Sequence, residues 1–238
     1  MSTELLWFLF LLFNLLAGLL LFALFRKTGL FAMIIVSIVV CNIQVTKTIE
    51  LFGLVATLGN VVYAGIFWAT DVISEVYGKR EAKRAVWVGF ASLLLATASM
   101  QVALLFQPDA SDFIDPSLRA VFGLLPRVAG ASLAAYLLSQ FHDVWAFHFW
   151  RNKTDSRYLW LRNNLSTLVS QALDSIVFSF GAFLGVFPLD IVLQIVLTTY
   201  LLKFIVAALD TPFIYAAVIL ARRLRVTSVN PHPNDGTT

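Results

Sequence analysis

Charge is scarce in this chain. Only 13% of its 238 residues are Asp, Glu, Lys or Arg, whereas 59% are hydrophobic. A soluble domain carries about 25% charged residues, so the composition excludes an ordinary water-soluble fold. Cysteine is rarer still. The single Cys41 lies in an apolar run and excludes an intramolecular disulfide. The three His do not cluster at metal-ligand spacing, so no metal site is expected. No G-x-x-x-x-G-K-[ST] occurs, which leaves the chain without a P-loop of its own, and no H-E-x-x-H supports a zinc protease. Ser132 and His142 are ten residues apart on one expected helix, about 15 Å along its axis, too far for a nucleophile and its base. An enzyme is not expected, and neither is a cofactor.

What the chain has instead is long apolar runs. A bilayer-crossing helix needs about 20 apolar residues, and seven stretches qualify: 4–25, 29–49, 52–77, 83–106, 118–148, 163–187 and 190–221. The first has no basic n-region and no A-x-A-like site before Arg26, and it is too long for a signal-peptide core, so it reads as a retained helix. The net charge of +3 would suit nucleic acid, but the positions of the charges argue against that partner. With the N-terminus outside, the inside segments collect Arg26 and Lys27; Lys79, Arg80, Lys83 and Arg84; Arg151, Lys153, Arg157 and Arg162; and Arg222, Arg223 and Arg225. Those are 13 of the 17 basic residues. The outside loops keep Lys47 and Arg119, and the loop at 106–117 carries Asp109, Asp112 and Asp115. The positive-inside rule therefore predicts an external N-terminus and a cytoplasmic C-terminus. The polar tail, 226–238, with its Pro and Gly, is expected to be disordered.

A charge at mid-membrane costs about 2.5–3.5 kcal/mol, so each one there needs a partner or a cavity. In ATDVISEVYG, residues 69–78, Asp71 and Glu75 are four apart and share a helical face. An interfacial Glu75–Lys79 pair and a pair of cavity-facing acceptors both fit that spacing. The fifth run holds Arg127, Gln140, His142 and Asp143, and its Gly130, Ala131, Ser132, Ala134 and Ala135 form a close-packing face. In the sixth, Asn163, Thr167, Ser170 and Asp174 make a polar stripe, and Gln171 and Asp174 repeat the Q-x-x-D spacing of Gln140 and Asp143. The seventh carries Lys203 and Asp210, two turns apart, with Pro212 predicting a kink. Lys203 has two candidate partners, Asp174 and Asp143. Asp71 and Asp174 also both start D-x-I-x-x-x-[YF]-G, a match compatible with chance or with an internal repeat. Carboxylates, amides and one Lys, set among 21 Phe, 6 Trp and 6 Tyr, suit a flat polar heterocycle.

Four stretches together resemble the queuosine precursor transporters, also called the vitamin uptake transporter family. They are Ala69–Gly78 with Lys79, Arg80 and Ala82; Arg127–Ser132 with Ala135, Tyr136, Gln140, Asp143 and Phe147; Ser166, Thr167, Ser170, Gln171 and Asp174–Phe178; and Lys203 with Pro212. The chain departs from some relatives in Thr199, where an acid can occur, and in carrying Asp210. The resemblance implies an all-α integral membrane protein. One additional N-terminal helix, residues 1–28, would precede a six-helix core, 29–225, similar to the substrate-binding subunits of energy-coupling-factor transporters. It implies import of a 7-deazaguanine, the 7-cyano or 7-aminomethyl precursor of queuosine, across the plasma membrane. Asp71, Glu75, Gln140, Asp143, Gln171, Asp174 and Lys203 would line the site. The alternative is a binding subunit for another vitamin-like molecule that works with a separate ATPase module. Oligomeric state is open, a homo-oligomer included.

Overall fold

The computed structural model describes residues 2–153, 159–224 and 226; the side chains of 79, 140, 141, 143–153, 159–167, 207 and 208 are not among those described. The expected tail, from 227 onward, and Arg157 lie outside the described residues.

Helices dominate. They are α1 (Thr3–Gln44), α2 (Gly59–Tyr77), α3 (Lys79–Ala103), α4 (Asp115–Phe122), α5 (Leu125–Lys153), α6 (Leu159–Phe183) and α7 (Leu189–Arg223). Four stretches among the described residues are long and apolar enough to cross a membrane: Thr3–Gln44, Arg80–Ala103, Asp115–Ser139 and Leu189–Arg223; Leu168–Phe183 is apolar but shorter. The outer surface is built for lipid. On α7, Leu189, Leu193, Leu197 and Leu201 recur every fourth residue and are all exposed, while Val192, Ile195, Leu202 and Val206 are buried. That reverses the outside of a soluble protein.

At 42 residues, α1 would be about 63 Å long if straight, twice a bilayer core. It is broken at Arg26, which takes φ 56° and ψ −133°, so α1 is two helices joined at a kink. Just past the break, Lys27 pairs with Glu81 at 3.1 Å and its ammonium lies 5.8 Å from the Tyr77 ring centroid. The first half of α1 is firmly docked. Trp7, Leu11, Leu15 and Phe22 join Trp68, Ile73 and Leu202 in one buried cluster. Gly18 allows the closest approach, since a Cβ there would lie 2.4 Å from a Trp68 ring carbon.

Two expectations need correction. The runs 29–49 and 52–77 do not follow each other directly: helix ends at Gln44, and a hairpin of β1 (Thr48–Leu51) and β2 (Leu54–Thr57) comes before α2. The fold is therefore helical with one small antiparallel sheet, in which Thr48 faces Thr57 and Leu51 faces Leu54. Phe52 and Gly53 turn the chain with φ of 53° and 75°. Positive φ at both central residues matches the twist that a two-residue hairpin needs, and Gly adopts it without strain. The hairpin is pinned to α7. The Val55 N–H donates to Gln194 Oε1 at 3.0 Å, and the Thr198 hydroxyl lies 2.9 Å from the Val55 carbonyl.

The run 118–148 is also not one helix. Pro126 has no N–H to give to the Phe122 carbonyl, so α4 stops and α5 starts anew. That carbonyl accepts instead from Gln101 Nε2 at 2.7 Å. By contrast, α7 continues across Pro212 to Arg223.

Among the described residues, Arg127 joins α5 to α6. Its Nε donates to the Gly181 carbonyl at 2.8 Å, and Nη2 donates to the Leu184 carbonyl, so it closes the C-terminal end of α6. A cation there meets orphan carbonyls and the negative end of the helix dipole. Arg127→Met is expected to destabilise the protein by about 1–2 kcal/mol, read as a lower thermal midpoint in detergent; an unchanged midpoint would refute the capping role. The expected close-packing face is present beside it, because a Cβ on Gly181 would lie 2.9 Å from the Ala131 Cβ. The two D-x-I-x-x-x-[YF]-G matches end differently: Gly78 caps α2 at φ 89°, whereas Gly181 lies within α6 against Ala131.

Candidate functional site

Helices α2, α6 and α7 surround a cavity of about 310 Å³ lined by Asn60, Tyr63, Ala64, Phe67 and Asp71 of α2, Gln171 of α6, and Leu202, Lys203, Phe204, Val206, Asp210, Thr211 and Ile214 of α7. A second space of about 50 Å³ adjoins it through the shared residues Asn60, Tyr63 and Lys203, and reaches Cys41, Asn42, Ser132, Asp174, Phe178 and Thr199. The lining follows from helical spacing. On α2, Asn60, Tyr63, Ala64, Phe67 and Asp71 are three or four apart and form one stripe. On α7, Lys203, Val206, Asp210 and Ile214 do the same.

At the junction of the two spaces, Lys203 Nζ donates to Asp174 Oδ2 and joins α7 to α6. Only 13% of the Lys203 side chain and 18% of that of Asp174 are exposed. The pair is therefore largely removed from solvent, where each charge depends on the other. Of the two partners that the sequence allows Lys203, the described one is Asp174.

Polar contacts hold the walls. Asn60 Nδ2 donates towards Thr57 Oγ1 at 3.3 Å and Thr199 Oγ1 at 3.5 Å, linking the hairpin, α2 and α7. Asn42 Nδ2 donates to the Ile38 carbonyl at 2.7 Å, and the Ser132 hydroxyl donates to Asn42 Oδ1 at 3.4 Å. His142 Nδ1 lies 3.1 Å from Ser170 Oγ, between α5 and α6. Ser132 and His142 thus engage different partners. Ring pairs stiffen the wall: Tyr63 meets Phe67 edge-on at 4.8 Å, and Tyr200 meets Phe204 at 5.0 Å.

Of the residues singled out from sequence, Asp71, Gln171 and Lys203 line the larger cavity, and Asp174 and Lys203 line the smaller. Glu75 is one turn beyond Asp71, exposed, and lines neither. The side chains of Gln140 and Asp143 lie outside the described residues. Sequence reasoning left out Asn60, Tyr63, Thr199 and Asp210 as lining residues. Asp210 had a legible signal, since it follows Lys203 by seven residues on the same face. Asn60 had little, because it stands beside a hairpin hidden inside an apolar run. Chemically, the space offers carboxylate acceptors, one ammonium donor, amides and aromatic faces, with no cluster of metal ligands among the described residues.

Comparison with known proteins gives the family. The family model described as "Putative vitamin uptake transporter" matches residues 57–217, which contain α2 through most of α7. The chain is 49% identical over 212 residues to the probable queuosine precursor transporter of Bacillus subtilis (strain 168), covering 89% of this chain and 93% of that protein. It is 30% identical over 143 residues to the queuosine precursor transporter of Escherichia coli (strain K12), covering 60% of this chain and 62% of that one. No solved structure matches at a significant level. A family model that spans the cavity-forming helices, and a relative matched over nearly its whole length, identify this helical membrane protein as a member of the vitamin uptake transporter family.

Proposed function

We propose that this protein imports a queuosine precursor, a 7-cyano- or 7-aminomethyl-7-deazaguanine, across the plasma membrane for tRNA modification, acting as a carrier and not as an enzyme. The observation that carries the proposal is the 310 Å³ cavity of α2, α6 and α7, with the Lys203–Asp174 pair at its wall. Ligand cavities fall in the range of about 300–1,000 Å³ and combine apolar walls with a few convergent polar groups. A guanine-type edge presents two neighbouring N–H donors and a carbonyl oxygen. A carboxylate takes the two donors side by side and an ammonium donates to the carbonyl, so Asp174 and Lys203 together match that edge. Tyr63, Phe67 and Phe204 offer rings to the heterocycle's faces. The names of the Bacillus subtilis and Escherichia coli relatives support the same substrate class.

The finer architecture belongs to this proposal. The chain crosses the membrane seven times, with its N-terminus outside and its C-terminus in the cytoplasm. The first helix precedes a six-helix core similar to the binding subunits of energy-coupling-factor transporters. The break at Arg26 and the basic clusters at 26–27, 79–84 and 222–223 support that order. Asp71, Gln171, Asp174 and Lys203 bind the substrate, and Gln140 and Asp143 belong to the same set, whereas Glu75 lies one turn outside the cavity.

The test is queuosine in tRNA. Cells unable to make the precursor, supplied with it in the medium, are expected to gain queuosine only when they express this protein. Absence of queuosine despite abundant protein in the membrane would reject the proposal. Uptake that disappears when the purified protein is reconstituted alone would favour a subunit dependent on a separate ATPase.

A further inference from the structure

The cavity has a second charged feature besides the Lys203–Asp174 pair. Asp210 of α7 and Asp71 of α2 both line it. Asp210 is only 5% exposed, yet it forms no hydrogen bond or ion pair with any described residue. The residue is thus more than nine-tenths buried, has no partner among the described residues, and lines a cavity large enough for a small molecule. Asp71 is exposed and likewise makes no ion pair among the described residues. Two carboxylates facing one low-dielectric space repel each other and are stabilised by a shared cation. Lys203 does not serve as that cation, because Asp174 already holds it.

The two polar features also have a fixed separation. Lys203 and Asp210 are seven residues apart on one helix, about 10 Å along its axis and on nearly the same face. Tyr63, Phe67 and Phe204 line the same space. The cavity is therefore bipolar. One end offers an ammonium beside a carboxylate, and the other end offers two carboxylates with no cation of their own among the described residues. A ligand that fills both carries a hydrogen-bonding ring edge at one end and a positive charge at the other.

We propose that Asp71 and Asp210 form a cation subsite for a primary ammonium group borne by the transported molecule, about 10 Å along α7 from the Lys203–Asp174 pair. This rests on the proposed function and extends it, because it makes an amine-bearing 7-deazaguanine the preferred cargo over a neutral one with the same ring. A free ion at the pair is the competing occupant. Among the described residues, the charged and titratable groups lining the cavity are Asp71 and Tyr63 from α2 and Lys203 and Asp210 from α7, with Asp174 of α6 meeting Lys203 from the adjoining space.

The experiment compares uptake of 7-aminomethyl- and 7-cyano-7-deazaguanine by the full chain in cells that make neither. The readout is the ratio of the two KM values, so that a loss of folded protein cancels. Wild-type protein is expected to prefer the aminomethyl compound, and Asp210→Asn and Asp71→Asn are each expected to reduce that preference about tenfold or more. Asp210→Glu keeps the charge and is expected to keep most of the preference. If Asp210→Asn gives no folded protein, the ratio is read on Asp71→Asn, whose exposed position tolerates the change. An unchanged ratio in the folded variants, or a wild-type preference for the cyano compound, overturns the subsite while leaving the transport function intact. An unchanged ratio accompanied by lost dependence on external pH or sodium assigns the pair to a free ion and overturns it as well. Uptake of neither compound by wild-type protein overturns both the subsite and the proposed function.

Discussion

Replacing Lys203 by Met is expected to reduce precursor uptake at least ~100-fold. The reason is the state in which it leaves Asp174. Both side chains are largely buried and each is the other's charge partner. Removing one member of such a pair strands the other charge, at a cost of about 3–5 kcal/mol, which corresponds to about 10²–10⁴ in an equilibrium constant. The cavity also loses the donor proposed to meet the substrate's carbonyl. These two consequences are separable. The double variant Asp174→Asn/Lys203→Met has no stranded charge, so its level in the membrane is expected to recover towards that of wild type. Its uptake is expected to stay low, because the acceptor and the donor are both gone. If the double variant transports like wild type, the pair is a structural bridge between α6 and α7 and takes no part in binding.

Gly18→Leu is expected to be the most damaging change remote from the charged groups. The Trp68 ring faces Gly18 at a distance that excludes any side chain, and Trp68 is fully buried. The ring is hemmed in by the cluster of Leu15, Phe22 and Ile73, so it has no open space to enter. Overpacking of this kind costs about 1–3 kcal/mol, more where nothing can yield. The first half of α1 or the α2 backbone must then move. Trp68 is three residues before Asp71, so a shift of α2 also displaces a cavity wall. The expected readouts are a lower thermal midpoint in detergent and reduced uptake. A midpoint equal to wild type would show that the first half of α1 is only loosely docked on α2.

Much of this was legible in sequence because the bilayer limits the choices. With so few charges, every one at membrane depth is informative. Lys203 and Asp174 were visible as groups needing partners, and the structure joins them. The apolar runs gave the helices their approximate places for the same reason. What escaped was local backbone chemistry inside those runs. In TIELFGLVAT, residues 48–57, the β-branched Thr48, Ile49, Val55 and Thr57 flanking Phe52-Gly53 encode a hairpin, but apolar content makes the segment read as membrane helix. In FGLLPRVAG, residues 122–130, Pro126 breaks the run although hydropathy continues through it. Cavity residues split in the same way. Charged members of the lining are conspicuous in an apolar sequence, whereas Asn60 and Tyr63 acquire their place only when α2 meets α7.

The most direct test of the central claim is uptake of labelled 7-deazaguanine precursor by purified full-length protein in lipid vesicles, run beside Asp174→Asn. Wild-type protein is expected to accumulate label above the level of protein-free vesicles, and unlabelled precursor is expected to compete. Asp174→Asn strands Lys203 and is expected to be less abundant, so uptake is read per folded protein, and on that scale it is expected to carry little or no label. Equal uptake by the two proteins would contradict the assignment of Asp174 to the substrate, and label no higher than in protein-free vesicles would contradict autonomous transport.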